Sequence, residues 1–328
     1  MSQTIRIGVC GYGNLGRGVE AEIVKNPDME LAAVFTRRKP AGSLKIKADV
    51  PVAHTSSAPE WKDKIDVLIL CGGSANDLPA QGPEFAGMFN TVDSFDTHAK
   101  IPEYLKAVDE AAKAGGRISV ISAGWDPGLF SLMRLYMEAV NPDGKTYTFW
   151  GRGVSQGHSE AVRGLDGVLD AIQYTIPDES AAGRVRNGET PGLTVREKHT
   201  RLCYVAAEEG ADKARIEREI KEMPYYFSDY DTTVTFISLE ELRRDHGKLT
   251  HGGNVIHTAK TGAGNRHLME FSLKLDSNPE FTASVLLACA RAAYRLFEKG
   301  ERGARTMFDI PPVLLSRAGV SETVQTLL

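Results

Sequence analysis

The sequence predicts an α/β fold in two parts: an N-terminal doubly wound parallel sheet of the Rossmann-like kind, then a smaller α+β mixed sheet. Three observations carry this. A glycine-rich turn joins the first strand to the first helix. Apolar strands alternate with helical segments up to about residue 124. Beyond Asn141-Pro-Asp-Gly144 the alternation gives way to longer strands of period two. At 328 residues the chain suits two domains. We expect a dinucleotide-binding domain over 1–124, rejoined by 281–328, and a substrate-binding and dimerisation domain over 125–280.

The first strand is Ile5–Cys10, followed by Gly11-Tyr12-Gly13-Asn14-Leu15-Gly16 and a helical pattern. A GxGxxG between strand and helix fits a pyrophosphate: Gly11 permits the tight turn, Gly13 lets the backbone approach, and Gly16 lets helix and strand pack. The helix N-terminus adds free N–H groups and partial positive charge. The next strand, Leu31–Phe35, ends in Thr36-Arg37-Arg38-Lys39. An NAD site places a carboxylate there. A hydroxyl and two guanidiniums suit a 2′-phosphate instead. One charge-assisted hydrogen bond contributes about 1.5–3 kcal/mol, so NADP is expected over NAD by roughly ten-fold or more.

Ile65–Cys71 is a buried strand ending in Gly72-Gly73-Ser74-Ala75-Asn76-Asp77. A short helix near Gly82–Met88 leads to strand Thr91–Asp93. A helix over Ile101–Lys113 stops at Gly115-Gly116, and Arg117–Ser122 is the next strand. Ligands of such sheets lie beyond the strands' carboxyl ends. The cofactor candidates are therefore the six residues Gly11–Gly16, with Thr36, Arg37, Arg38, Cys71, Gly72, Gly73, Ser74, Ala75 and Asp77. In the second part, Thr146–Trp150, His199–Ala206, Thr232–Ile237 and Arg266–Leu275 read as strands, and Glu160–Ile172 and Gly210–Met223 as helices. A last helix, Phe281–Glu298, is capped by Ser277-Asn-Pro-Glu280 and stopped by Gly300.

Net charge is −4 and the sequence pI is about 6.1, which argues against nucleic acid as a partner. The first residues lack a basic, then apolar, signal-peptide pattern, and no apolar run is long enough to span a bilayer. A cytoplasmic protein is expected. Cys10, Cys71, Cys203 and Cys289 form no CxxC pair and read as buried reduced thiols; with no HExxH spacing, no metal is expected.

Three acids fall on the predicted rim: Asp93, Asp96 and Asp126. Carboxylates beside a nicotinamide suit an ammonium, and Trp125 and Trp150 could wall such a pocket. Glycine-rich loops expected over 151–159 and 250–254 add Gln156, Gly157 and His251; Thr175 and Arg201 offer a hydroxyl and a cation for a carboxylate. No Lys-His pair stands after the Thr91–Asp93 strand, where an alcohol dehydrogenase of this layout would need a base. An amine substrate needs less: its free form can expel hydride, and a carboxylate such as Asp126 could take the ammonium proton.

VCGYGNLGRGVE, VFTRR, LCGGSANDLP, TVDSFDTHAKIP, SAGWDPGLFS, TFWGRGVSQGHSEA, QYTIP, THGGNV and LKLDSNPEFTAS occur in this order along nearly the whole chain. On these motifs the sequence resembles the meso-diaminopimelate dehydrogenase family. The resemblance implies NADP-dependent oxidative deamination of meso-2,6-diaminopimelate at its D-centre, in lysine biosynthesis. It also implies a homodimer whose domains close on substrate. By motif, Asp93 and Asp126 would contact the reacting amino group with Trp125 beside them. Thr175, Arg201, His251 and Asn278 would hold the distal L-centre, and Trp150 would line the cavity. Two other readings remain at this stage. An NADPH-sensing binding protein would keep the glycines and arginines without needing the acids. A reductase of a related amino or keto acid would want a reactive cysteine, and none sits in a polar turn.

Overall fold

The computed structural model describes residues 4–38 and 44–328; Lys39 of the basic turn lies outside them. The chain forms two compact units, Met1–Leu132 with Pro279–Leu328, and Met133–Asn278. The first crossing thus falls at Leu132, not Gly124. Trp125 pairs with Gly128 in an isolated bridge, and the buried Phe130 donates its N–H to Trp125 O at 2.8 Å. The turn after the sixth strand therefore stays with the first unit.

In chain order the elements are β1 (Ile5–Cys10), α1 (Asn14–Ile23), β2 (Met29–Thr36), β3 (Val52–His54), β4 (Val67–Leu70), α2 (Leu78–Ala86), β5 (Asn90–Asp93), α3 (Ile101–Ala114), β6 (Ile118–Val120) and α4 (Leu129–Val140). The second unit continues with β7 (Lys145–Trp150), β8 (Gly153–Val154), α5 (Gln156–Arg163), β9 (Val168–Pro177), α6 (Glu179–Arg186), α7 (Val195–Lys198), β10 (His199–Ala207), α8 (Lys213–Glu222), β11 (Asp231–Phe236), α9 (Leu239–Asp245), β12 (His251–Thr261) and β13 (Asn265–Leu275). The chain then returns through α10 (Asn278–Glu298), β14 (Gly303–Arg305) and α11 (Val320–Leu327).

The first unit is built on a seven-stranded sheet of order β14-β6-β5-β4-β1-β2-β3, parallel throughout. β1 and β4 at its centre are apolar runs covered on both faces, as buried parallel strands require. The strand order reverses between β1 and β4, so their carboxyl ends open a crevice. The turn after β1 is pinned there: Gly11 N–H bonds Phe35 O at 2.8 Å, and Cys71 N–H bonds Cys10 O at 2.7 Å.

The second unit holds two sheets rather than one: β11-β10-β9-β8, with β10 and β11 parallel, and the antiparallel β13-β12-β7. Two expectations are corrected. The helix expected over Glu160–Ile172 ends at Arg163, and β9 begins at Val168. Val162, Leu165, Val168 and Ile172 fit helical spacing, but Gly167 at φ +79° turns the chain into a β-branched strand. The glycine-rich segment Thr250–Asn254 is the start of β12, not a loop. A Cβ on Gly252 would lie 2.1 Å from Leu273 O, so only a bare backbone fits between β7 and β13.

Cys10, Cys203 and Cys289 are buried free thiols, and burial pushes each up to about 12. Cys71 is half-buried, a departure from the expectation of four buried thiols, because it lies past the end of β4 on the rim. No described helix is long and apolar enough to cross a membrane.

Candidate active site

In the first unit the expected residues gather at the carboxyl ends of β1, β2, β4, β5 and β6. A Cβ on Gly16 would meet Gly11 O at 2.2 Å, so α1 packs directly on the turn; a Cβ on Gly13 would meet nothing within 4 Å, so that backbone faces open space. Gly13 caps α1 with no side-chain hydrogen bond, which leaves the first-turn N–H groups of the helix, starting at Asn14 and Leu15, to an anion. Tyr12 turns away and bonds the buried Glu20, whose other oxygen accepts from Lys47 N and Ala48 N at 2.6 and 2.7 Å.

Thr36 ends β2, and its Oγ1 accepts from Arg38 N at 3.2 Å. Arg37 pairs with Asp77 at 2.8 Å, and Asp77 also accepts from Gly73 N at 2.9 Å. The Gly72–Ala75 turn and the basic turn are thereby tied at their tips. The Arg37 side chain is mostly exposed, and such pairs contribute about 0–1 kcal/mol, so a phosphate can recruit this guanidinium.

The three rim acids differ. Asp93 is fully buried (0% exposed), with Oδ1 accepting from Phe95 N at 2.9 Å and Ser122 N at 3.0 Å, and Oδ2 from Tyr104 Oη at 2.8 Å. Burial raises its pKa against those three hydrogen bonds. Its oxygens are used in joining β5 to the turn after β6. Asp96 is exposed, and its N–H bonds Ser74 Oγ at 2.9 Å, so it belongs to the rim. Asp126 is half-buried beside Trp125, which is buried and meets the Phe130 ring edge-on at 5.2 Å.

The second unit builds its polar cluster from strand register. Gly153, Thr175, Arg201 and Thr232 lie opposite one another across β8, β9, β10 and β11. They therefore share one face. Further along, Ala171, Cys203 and Val205 on that face pack against Ile216 and Ile220 of α8. The face passes from hydrocarbon to polar groups within a few residues. Arg201 is 5% exposed; its Nη1 donates to Thr175 Oγ1, and its guanidinium lies 3.9 Å from the Tyr230 ring centre. A Cβ on Gly153 would lie 2.3 Å from His251 Cα, so His251 adjoins this row. Gly252 N–H donates to His251 Nδ1 at 2.7 Å.

Trp150 ends β7 and stacks on the buried His199 ring at 5.1 Å; Trp150 N–H donates to His199 Nε2 at 2.8 Å. Burial and then the Arg201 charge lower His199 to about 3. Gln156 and Gly157 open α5, and a Cβ on Gly157 would face open space. Asn278 begins α10, and its N–H bonds Leu249 O at 2.9 Å. Register thus brings Thr175 and Arg201 together with His251 adjoining them, and Asn278 lies at the start of α10.

The meso-diaminopimelate D-dehydrogenase of Ureibacillus thermosphaericus is 61% identical over 95% of both chains. That of Corynebacterium glutamicum is 44% identical over 98% of both. This chain belongs to the meso-diaminopimelate D-dehydrogenases. Residues 124–277 match the family model described as the diaminopimelic acid dehydrogenase C-terminal domain. The solved structure of the C. glutamicum diaminopimelate dehydrogenase with diaminopimelate superposes with a TM-score of 0.95 at 43% identity, covering 99% of this chain and all of that one. An engineered D-amino acid dehydrogenase bound to NADP+ gives 0.92 at 42%, with the same coverage.

For a diaminopimelate dehydrogenase, sequence reasoning passed over Gln173, Thr232, Tyr230 and His199 around the Arg201 row. Gln173 Oε1, Thr232 Oγ1 and Arg201 Nε are buried without a hydrogen-bond partner among the described residues. A signal existed for one of them. Once QYTI is read as a strand, Gln173 must share the face of Thr175.

Proposed function

We propose that the protein catalyses oxidative deamination of meso-2,6-diaminopimelate at its D-centre, giving L-2-amino-6-oxopimelate, ammonia and NADPH. The observation that carries this reading is the buried Arg201–Thr175 pair beside His251. Among the described residues this guanidinium has no carboxylate partner, a costly state when buried, and a substrate carboxylate would meet that cost.

The first unit fits a dinucleotide. Open space over Gly13 and the uncapped start of α1 suit a pyrophosphate. Thr36, Arg37 and Arg38 suit the 2′-phosphate of NADP rather than bare ribose hydroxyls. A bound NADP+ would supply the hydride acceptor for the D-configured carbon. Asp126 takes a proton from the substrate ammonium, which frees the nitrogen lone pair, and it orients the water that replaces ammonia. Asp96 adds negative charge on the same rim. Trp125 limits water around Asp126, and Trp150, Gln156 and Gly157 line the approach to the Arg201 row. Asn278 assists at the distal end.

A homodimer is part of the same proposal. β13 is an edge strand whose Met269, Phe271 and Leu273 are only partly covered. A cytoplasmic setting accords with four unpaired cysteines.

Formation of NADPH, followed by absorbance with meso-diaminopimelate and with D-alanine, tests the reaction. The diamine should be strongly preferred, because a site built for groups that are missing discriminates by about 10⁴-fold. Arg201→Ala should raise KM for the diamine far more than for D-alanine. Equal effects on both, or no NADPH from the diamine, would overturn the reading.

A further inference from the structure

Gln173 is an unusual occupant of a strand core. It is 0% exposed, and its Oε1 is buried without a hydrogen-bond partner among the described residues. Its main chain is fixed on both sides. Ser155 N–H donates to Gln173 O at 3.0 Å, Gln173 N–H donates to Ser159 Oγ at 2.9 Å, and Ser159 Oγ donates to Ser155 O at 2.7 Å. The side chain reaches along its own strand, and Nε2 donates to Thr175 Oγ1 at 3.4 Å. A leucine would fill this position without leaving a polar atom unsatisfied, and an unpaired buried oxygen costs about 1–3 kcal/mol.

The hydroxyl of Thr175 shows what that cost supports. An arginine can only donate, so Arg201 Nη1 occupies one acceptor site on Thr175 Oγ1. Gln173 Nε2 is a donor to the other. A hydroxyl that accepts twice keeps its single proton for a third group. We propose that Gln173 is a positioning residue that holds the Thr175 hydroxyl as a donor, so that Thr175 and Arg201 together present only hydrogen-bond donors to the distal carboxylate of the substrate. With no exposed surface, Gln173 does not touch the ligand; it acts through Thr175, which is 2% exposed. The inference rests on the reading of the Arg201–Thr175 pair as the distal recognition site.

The test is a double-mutant cycle on the full-length enzyme with saturating NADP+. Gln173→Leu should raise KM for meso-diaminopimelate about ten-fold, the scale of one hydrogen bond to a charged group. It should leave kcat within about two-fold and leave kcat/KM for D-alanine, which has no distal carboxylate, unchanged. Thermal stability should stay equal or rise, since the unpaired oxygen is removed. Gln173→Glu should be worse than Gln173→Leu, because a carboxylate accepts the Thr175 proton and repels the substrate. In a Thr175→Val background, Gln173→Leu should have no further effect on KM. Additive effects of the two substitutions, or equal losses with diamine and D-alanine, would overturn the proposal. If Gln173→Leu fails to fold, Gln173→Met supplies the same comparison. A wild-type enzyme that turns over D-alanine and the diamine equally well would instead refute the distal-site reading itself.

Discussion

Asp93 and Asp126 show how much a side chain's partners matter beyond its place in the sequence. Asp93 ends β5 and Asp126 follows β6, both toward the rim of the parallel sheet. Asp93 is enclosed by two backbone N–H groups and a tyrosine hydroxyl, so it braces the rim. Asp126 is half-buried, and its proposed part in the reaction can be tested directly. Asp126→Asn should lower kcat by 10² or more, the scale of a lost general base, while the Kd for NADP+ stays unchanged. Stopped assays for turnover and fluorescence titration of the cofactor measure the two separately, and unimpaired turnover would remove Asp126 from the reaction. The basic turn allows a second test at this scale. Arg37→Ala combined with Arg38→Ala should raise KM for NADP+ by at least ten-fold per lost phosphate contact and leave KM for NAD+ little changed. Retained selectivity would place the phosphate elsewhere.

Elements explain why some of this was legible in sequence and some was not. The first sheet was readable because each strand is a short apolar run closed by glycine or a polar turn, and the helices between them have one apolar face. Strand β9 was hidden because its apolar residues also satisfy helical spacing, so only the turn at Gly167 separates it from α5. The start of β12 was hidden because glycine is depleted in strands, and here Gly252 serves close backbone packing. The Arg201 row depends on four strands at once, since register across β8 to β11 cannot be read from any one of them. His199, at the start of β10, gives this sheet a pH dependence. Its folded pKa is about 3, below the unfolded value near 6.5, so its contribution is fully present above about pH 6.5 and is lost as pH falls toward 3. Burial is the main cause; the Arg201 and Lys198 charges and the Trp150 N–H on Nε2 also favour the neutral ring. The thermal midpoint should fall between pH 6.5 and 4, and His199→Gln, whose amide oxygen can still accept from Trp150, should flatten that slope. An unchanged slope in scanning calorimetry would assign the acid sensitivity to other groups.

At the scale of the whole chain, the first unit is discontinuous, and its completion depends on α10 returning after the second unit has been made. A Cβ on Gly18 of α1 would lie 2.8 Å from Pro279 O, so the two helices meet with almost no side chain between them. Further along α10, Arg291 is a buried cation. It bonds Asp28 through Nε at 2.5 Å and Nη2 at 2.9 Å, Asn26 Oδ1 at 2.8 Å, and Leu315 O at 2.9 Å. The loop between α1 and β2, the returning helix and the C-terminal segment are thus held by one guanidinium. Its hydrogen bonds keep Asp28 below the usual carboxylate range. Removing one partner of such a buried pair strands the other charge and costs about 3–5 kcal/mol. Arg291→Ala should therefore destabilise the first unit by that amount and weaken NADP+ binding through loss of folded unit. The acid-sensitive transition carried by His199 in the second unit should keep its midpoint. Calorimetry with and without NADP+ separates the two, because cofactor should restore only the first-unit transition. A variant whose two transitions fall together would mean that α10 stabilises the second unit as much as the first.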